Sequence, residues 1–276
     1  MAGTLYLVAT PIGNLSDFSP RAIETLENVD FIAAEDTRVS MKLLNHFGIK
    51  KSLVSYHEHN HVTAGQSILS RLLTGESCAL VTDAGTPAIS DPGEDLVRLC
   101  AENGVEVLSI PGCCAAVNAL AVSGLPTGRF TFEGFLTVNK KSRREHLESL
   151  KNEERTMIFH EAPHKLRTTL DDLAAAFGKD RRIALCREMT KLHEETRRCT
   201  IGEAIAYYTE NTPKGEYVLV VAGAEKAEKS AVNLEDGVAQ VLALRESGMR
   251  LKDAAKEVAE HTGLSKNDLY AAALDP

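Results

Sequence analysis

The sequence lacks any apolar run approaching the ~20 residues that a membrane-spanning helix requires. Its first apolar stretch, Thr4–Ala9, is too short for a secretion signal and has no basic flank. A soluble protein that stays in the cytoplasm, with no membrane partner, is therefore expected. Cysteine pairs are also missing. Cys78, Cys100, Cys113, Cys114, Cys186 and Cys199 form no C-x-x-C pair and have no histidine at zinc spacing. They read as reduced core or loop thiols, and no metal is expected. Positive charge is short, at 31 Lys and Arg against 39 Asp and Glu. That balance weighs against a nucleic-acid partner unless the basic residues cluster. Finally, there is no G-x-G-x-x-G and no G-K-[ST], which excludes a wrapped triphosphate and weakens a dinucleotide.

What is present is an ordinary globular composition, 43% hydrophobic and 25% charged, in 276 residues, enough for two domains. Strand-like runs alternate with amphipathic helical segments, the pattern of βαβ units. Strands are expected at 4–9, 30–34, 53–56, 78–82 and 105–110, with an N-terminal domain over 1–124. Gly124, Pro126 and Gly128 mark a boundary. A second α/β domain with a more mixed sheet follows over 129–224, with strands at 130–135, 156–160, 182–186, 194–199 and 216–222. The polar stretch Ala224–Asn233 reads as a linker, and 234–276 as three short helices. Ser19-Pro20 and Asp36-Thr37 look like helix starts, and Gly48 like a helix end.

Three loops follow predicted strands of the first domain. Thr10-Pro11-Ile12-Gly13-Asn14 and Pro111-Gly112-Cys113-Cys114-Ala115-Ala116 are each compatible with an ordinary turn. Between them in sequence, Thr82–Gly93 is long for a strand-to-helix connection and is stiffened by two prolines and two glycines. Ligands of α/β sheets bind at the carboxyl ends of strands, so three such loops on one sheet point to a small-molecule pocket.

Together these loops resemble the tetrapyrrole-methylase-like fold, a family of two-domain α/β methyltransferases that hold S-adenosyl-L-methionine between their domains. Within it, the resemblance is to the bacterial branch that methylates small-subunit ribosomal RNA. It rests on L-Y-L-V-A-T-P-I-G-N-L at 5–15, A-A-E-D-T-R at 33–38, T-D-A-G-T-P-A-I-S-D-P-G at 82–93 and I-P-G at 110–112. F-E-G-F-L at 132–136, R-T-M-I-F-H-E-A-P-H at 155–164, C-R-E-M-T-K at 186–191 and K-G-E-Y-V-L-V-V at 214–221 extend it over nearly the whole chain. The resemblance implies methylation of the ribose 2′-hydroxyl of a decoding-region cytidine in 16S rRNA, within the small ribosomal subunit, by a homodimer. It implies cofactor contacts at Pro11, Ile12, Thr86, Ile89, Cys114 and Ala115, closed by Glu161, Met189 and Ala222. Cys113-Cys114 departs from the hydroxyl residues common in the wider fold. Asp83 and Ser90 are expected to brace the long loop.

A ribose hydroxyl is a weak nucleophile, so a base or a cation beside it would help. Candidates at strand ends are Arg38, His57, Arg187, Glu188 and Lys191. His57 is the preferred base because histidine as a residue type changes charge near neutral pH, and the cations suit a phosphate or oxyanion. His57, His59 and His61 alternate as on a strand, yet no cysteine or paired carboxylate completes a metal set. Lys140-Lys141-Ser142-Arg143-Arg144, Arg181-Arg182 and Arg197-Arg198 would form an RNA footprint if they converged. The last helices resemble a helix-turn-helix, with Gly263 in the turn and Ser265 as a cap. Two rival functions follow: a methylase for a tetrapyrrole or other small acceptor, and a nucleic-acid-binding regulator with a ligand-sensing domain.

Overall fold

The computed structural model describes residues 1–225 and 233–274. Most of the expected linker, Ala224–Asn233, and the last two residues of the expected C-terminal segment lie outside them. The chain forms two compact units, Met1–Gly223 and Ala224–Pro276.

The first sheet contains β1 (Thr4–Val8), β2 (Phe31–Ala34), β3 (Ser52–Ser55), β4 (Cys78–Val81) and β5 (Glu106–Ile110), all parallel, in the order β3-β2-β4-β1-β5. Every residue of β2 and β4 is buried, as for inner strands covered by helices on both faces, whereas edge strands β3 and β5 are partly exposed. The crossover helices are α1 (Pro20–Asn28), α2 (Thr37–His46), α3 (His61–Leu73) and α4 (Glu94–Glu102), and α5 (Ala115–Val122) follows β5. Local chemistry sets their ends. The Ser19 side chain accepts from Ala22 N and that of Asp36 from Arg38 N, while Gly48, at φ +72°, turns the chain out of α2.

The alternating histidines do not lie on a strand. β3 ends at Ser55, where Asn60 folds the chain back by donating to Ser55 O and accepting from His57 N at 2.8 Å. His61 is the first residue of α3. Asparagine side chains compete with ladder hydrogen bonds in this way, and here that local effect overrode a period-two pattern.

The second sheet is mixed: β6 (Phe130–Phe135), β7 (Thr156–Glu161), β8 (Arg182–Arg187), β9 (Glu195–Thr200) and β10 (Tyr217–Val221), in the order β6-β7-β10-β8-β9. Only β6 and β7 pair in parallel; Glu133 is a bulge between Phe132 and Gly134. Helices α6 (Lys140–Ser149), α7 (Leu166–Phe177) and α8 (Ile201–Glu210) contribute Leu147, Leu170, Leu173 and Tyr208 to a core with Met157, Phe159 and Leu219 of this sheet. Its opposite face, with Ile158, Ala184 and Val220, packs on Ala116, Ala119 and Leu120 of α5. The last helix of the first α/β layer thus serves the second.

The C-terminal unit holds α9 (Leu234–Glu246), α10 (Leu251–Thr262) and α11 (Lys266–Ala272) around Val241, Ala255, Val258 and Leu269. Gly263 is left-handed at the end of α10 and Ser265 caps α11. A side chain at Gly237 would lie 2.5 Å from Leu264 Cδ1, so α9 sits close against the turn.

Candidate active-site cleft

β4, β1 and β5 are neighbours, so the loops that follow them emerge side by side at one end of the sheet. They are also tied together. Thr10 and Gly85 exchange two backbone hydrogen bonds of 2.8 and 3.0 Å, and Thr10 Oγ1 donates to Thr82 O. Thr86 Oγ1 donates to Cys113 O at 2.9 Å. Gly85, at φ +85°, is where the loops meet: a Cβ there would touch Ile12 Cγ2 and Cys113 O. Pro11, Ile12, Thr86, Cys114 and Ala115 therefore line one cradle edge, while Ile89, farther along the long loop, is half exposed.

The second sheet supplies the other wall. Loop 188–194, between β8 and β9, meets the first loop where Asn14 N donates to Thr190 Oγ1, and Gly13 leaves room for the Lys191 stem. At the other side, Gly134 on β6 lies against Ser90, where a Cβ would be 3.3 Å from its Oγ. These two contacts bracket the region where the loops of the two sheets face each other, the candidate cleft. Non-glycine residues with positive φ, among those described, are Ala88, Ser90, Glu188 and Thr190. All four lie in the two loops that face each other, and such strain persists only where surrounding contacts enforce it. Met189 and Ala222 share an apolar cluster with Cys114 and Ala115.

Glu161 is placed differently. It shares a face of β7 with Met157 and Phe159, away from α5, and is 4% exposed. Its carboxylate accepts from Thr169 Oγ1 and from Ala162 N. The alternation of a strand directs the neighbouring His160 to the α5 side instead. His160 packs edge-on against Phe132 and Phe135; burial lowers its pKa, and its Nε2 has no partner among the described residues. It is thus a neutral imidazole with one hydrogen-bonding position open. The sequence signal was its place directly after the apolar run Met157–Phe159.

The candidate catalytic groups are mostly engaged. Arg38 is 86% exposed and grips Asp36, holding that carboxyl well below its usual range. His57 Nδ1 accepts from His59 N, so a neutral His57 carries its proton on Nε2 and has no free acceptor nitrogen. Lys191 Nζ donates to Glu188 at 2.9 Å and to Glu216 at 2.8 Å. Those bonds outweigh burial and raise the lysine pKa, while the lysine lowers that of Glu188. Arg187 donates to His193 O and pairs with Glu195, and its buried Nε has no partner among the described residues. Beside the cradle lie three carboxylates of the A-A-E-D-T-R and T-D-A-G-T-P-A-I-S-D-P-G motifs, of which Asp83 was expected as a brace. Glu35, Asp83 and Asp91 all have raised pKa values, in each case chiefly through burial, and Asp91 is pushed up to about 6.

The basic runs do not form one free surface. Arg143 is bonded to Asp172 and Thr169, Arg197 to Glu195, and Arg198 to Val122 O. Lys140, Arg144 and Lys165 remain without a carboxylate partner among the described residues.

Two α/β layers sharing a strand-end cleft define a class, and residues 4–205 match the family described as Tetrapyrrole (Corrin/Porphyrin) Methylases. Two solved structures share the arrangement over 80% of this chain. They are a diphthine synthase (TM-score 0.61, 15% identity, 90% of that chain) and a Thermus thermophilus uroporphyrin-III-C-methyltransferase (TM-score 0.55, 20% identity, 94% of that chain). Residues 232–276 match the RsmI C-terminal HTH domain. Relatives bearing the name ribosomal RNA small subunit methyltransferase I are 50% identical in Synechocystis sp., 51% in Halalkalibacterium halodurans and 46% in Escherichia coli O157:H7. The alignments span 99%, 97% and 99% of this chain and 98%, 93% and 95% of those proteins. The chain belongs to the ribosomal RNA small subunit methyltransferase I family and is a methyltransferase.

Proposed function

We propose that the protein transfers a methyl group from S-adenosyl-L-methionine to the ribose 2′-hydroxyl of a cytidine in 16S rRNA, acting on the small ribosomal subunit as a cytoplasmic homodimer. The observation that carries the reading is the cradle made by loops of three adjacent strands, each hydrogen-bonded to the next. Its chemistry suits this donor, which has no phosphate: backbone groups and small side chains predominate, and Gly85 keeps the meeting point open. The carboxylates Glu35, Asp83 and Asp91 suit its positive charge. When bound, the cofactor supplies an electrophilic methyl on a sulfonium. Pro11, Ile12, Thr86, Ile89, Cys114 and Ala115 would hold it, with Met189 and Ala222 covering it from the second sheet.

The protein's part is alignment. Holding the acceptor oxygen in line with the methyl supplies most of the acceleration for such a displacement. Glu188 and Lys191 are positioning residues, since their ion pair fixes the turn that meets the first loop. Arg187 and Arg38 offer positive charge for the acceptor's phosphates or developing oxyanion. The C-terminal match favours an RNA acceptor over a tetrapyrrole.

Mass spectrometry of 16S rRNA from cells lacking the protein tests the whole reading. One ribose methylation should vanish and return when the purified protein and cofactor are added to the subunits. An unchanged pattern would end the proposal.

Two smaller effects follow. Thr86→Val removes the bond that fastens the long loop to Cys113 O, worth about 1 kcal/mol. Cofactor affinity by calorimetry should weaken about five- to tenfold, and wild-type affinity would show that the loops are held otherwise. Asp91→Asn should stabilise the protein at alkaline pH. In the wild type the folded state resists ionisation, so the penalty is absent below about pH 4, grows as pH rises to about 6 and is constant above. Discounted for partial exposure, it amounts to roughly 1–2 kcal/mol. Urea midpoints should separate wild type from variant at pH 8 and coincide at pH 4. No separation at pH 8 would argue that Asp91 ionises normally.

A further inference from the structure

A second concavity lies outside the cleft. Between α6 and α7, on the face of the second sheet opposite α5, is a groove of about 630 Å³. Its apolar lining includes Leu147 and Ala176, and its charged lining is dominated by cations. Arg143, 7% exposed, is fixed there by Asp172 at 2.6 Å and by Thr169. Asp172 is thereby neutralised, and the groove's other acid, Glu148, pairs with Lys151. Lys140, Arg144 and Lys165 are left as uncompensated positive charge among the described residues, with His164 beside them.

Placement gives this charge a direction. β6 and β7 are parallel, so the connections leading into α6 and α7 leave the same end of the sheet. Lys140 opens α6 directly after the first of them, and Lys165 ends the second. Gly134, near the end of β6, is the residue that touches Ser90 at the cleft rim. The cationic end of the groove, with Lys140 and Lys165, therefore lies at the same end of the sheet as Gly134.

We infer that this groove seats the phosphodiester backbone of the RNA strand flanking the methylated nucleotide, with Lys140, Arg144 and Lys165 as its phosphate contacts. The inference rests on the ribosomal RNA reading above and adds to it the surface that grips the substrate. Cations of this kind position an RNA without reading its sequence. An apolar floor flanked by lysine and arginine also accommodates an unstacked strand better than a rigid duplex. The chain's acidic total would oppose RNA elsewhere, which makes a local cationic groove decisive for orientation.

The test is a triple variant, Lys140→Gln, Arg144→Gln and Lys165→Gln, measured for binding to small ribosomal subunits over a salt series. Lys179→Gln serves as control. It is exposed, is not among the residues lining the groove, and precedes β8, at the opposite end of the sheet from Lys140 and Lys165. The triple variant should bind at least tenfold more weakly near physiological salt. Its log–log salt slope should shrink by about 2, as expected when three phosphate contacts to a single strand are lost. Cofactor affinity should stay unchanged, and the control should match wild type. A triple variant with the wild-type slope overturns the groove assignment while leaving the methyltransferase reading intact. Failure of wild-type protein to bind or methylate subunits takes down both.

Discussion

Gly215→Ala is expected to reduce methyl transfer to ribosomal subunits about a hundredfold while leaving a folded protein. Gly215 has φ +76°, and a Cβ there would lie 2.4 Å from Cγ and Cδ of Glu188. The backbone strain alone is worth about 1–2 kcal/mol, but the larger effect is on Glu188. Its Oε1 accepts from Lys191 Nζ and from Glu216 N, and these bonds set the turn that carries Thr190 to Asn14. With the carboxylate displaced, Lys191 keeps only Glu216 and the wall opposite the cradle shifts. A displacement of about 1 Å between donor and acceptor suffices for a hundredfold loss. Steady-state kinetics should show the loss mainly in kcat, with a melting temperature lowered by only a few degrees. Turnover within threefold of wild type would show that the 188–191 turn does not position the reaction.

The second large effect concerns stability. Thr169 is fully buried; its hydroxyl donates to Glu161 and accepts from Arg143 Nη2 at 2.7 Å. Valine fills the same space without a hydroxyl, so Thr169→Val leaves a buried carboxylate oxygen and a buried guanidinium nitrogen each short of a partner. Hydrogen bonds to charged groups are worth about 1.5–3 kcal/mol. Their loss here should lower unfolding free energy by about 3 kcal/mol in urea titrations, whereas Thr169→Ser should keep most of it. A valine variant within about 1 kcal/mol of wild type would mean that water replaces the hydroxyl. The same network explains why Glu161 is better described as a brace between β7 and α7 than as a side chain reaching the cofactor.

The strands of the first sheet were legible because β2 and β4 are unbroken apolar runs ending in turn residues. The helix starts at Ser19 and Asp36 were legible because their side chains cap the backbone locally. The three loops could be read from their glycines and prolines. Long-range relations left no such mark. Nothing near Tyr217–Val221 says that this strand enters between β7 and β8. The face taken by Glu161 depends on β7's registration against two neighbours, and a one-residue slip would exchange it with His160. The positive φ of Ala88, Ser90, Glu188 and Thr190 has no residue-type signature, because tertiary contacts impose it. Basic residues could be counted in sequence, but whether each faces solvent or a buried carboxylate could not.

The position of β10 also has a consequence for how the chain is made. All five strands of the first sheet are complete by Ile110, so that layer can assemble while the rest is still being synthesised. The second layer cannot. Its central strand is the last to emerge, and until Val221 has left the ribosome β7 and β8 each present an unpaired edge. Unpaired edges of this kind invite misassociation. A nascent chain stalled before residue 217 should hold a protease-resistant first layer and an open, chaperone-dependent second one. An enzyme proposed above to act on the small ribosomal subunit would then finish its own folding late, at the exit of the ribosome.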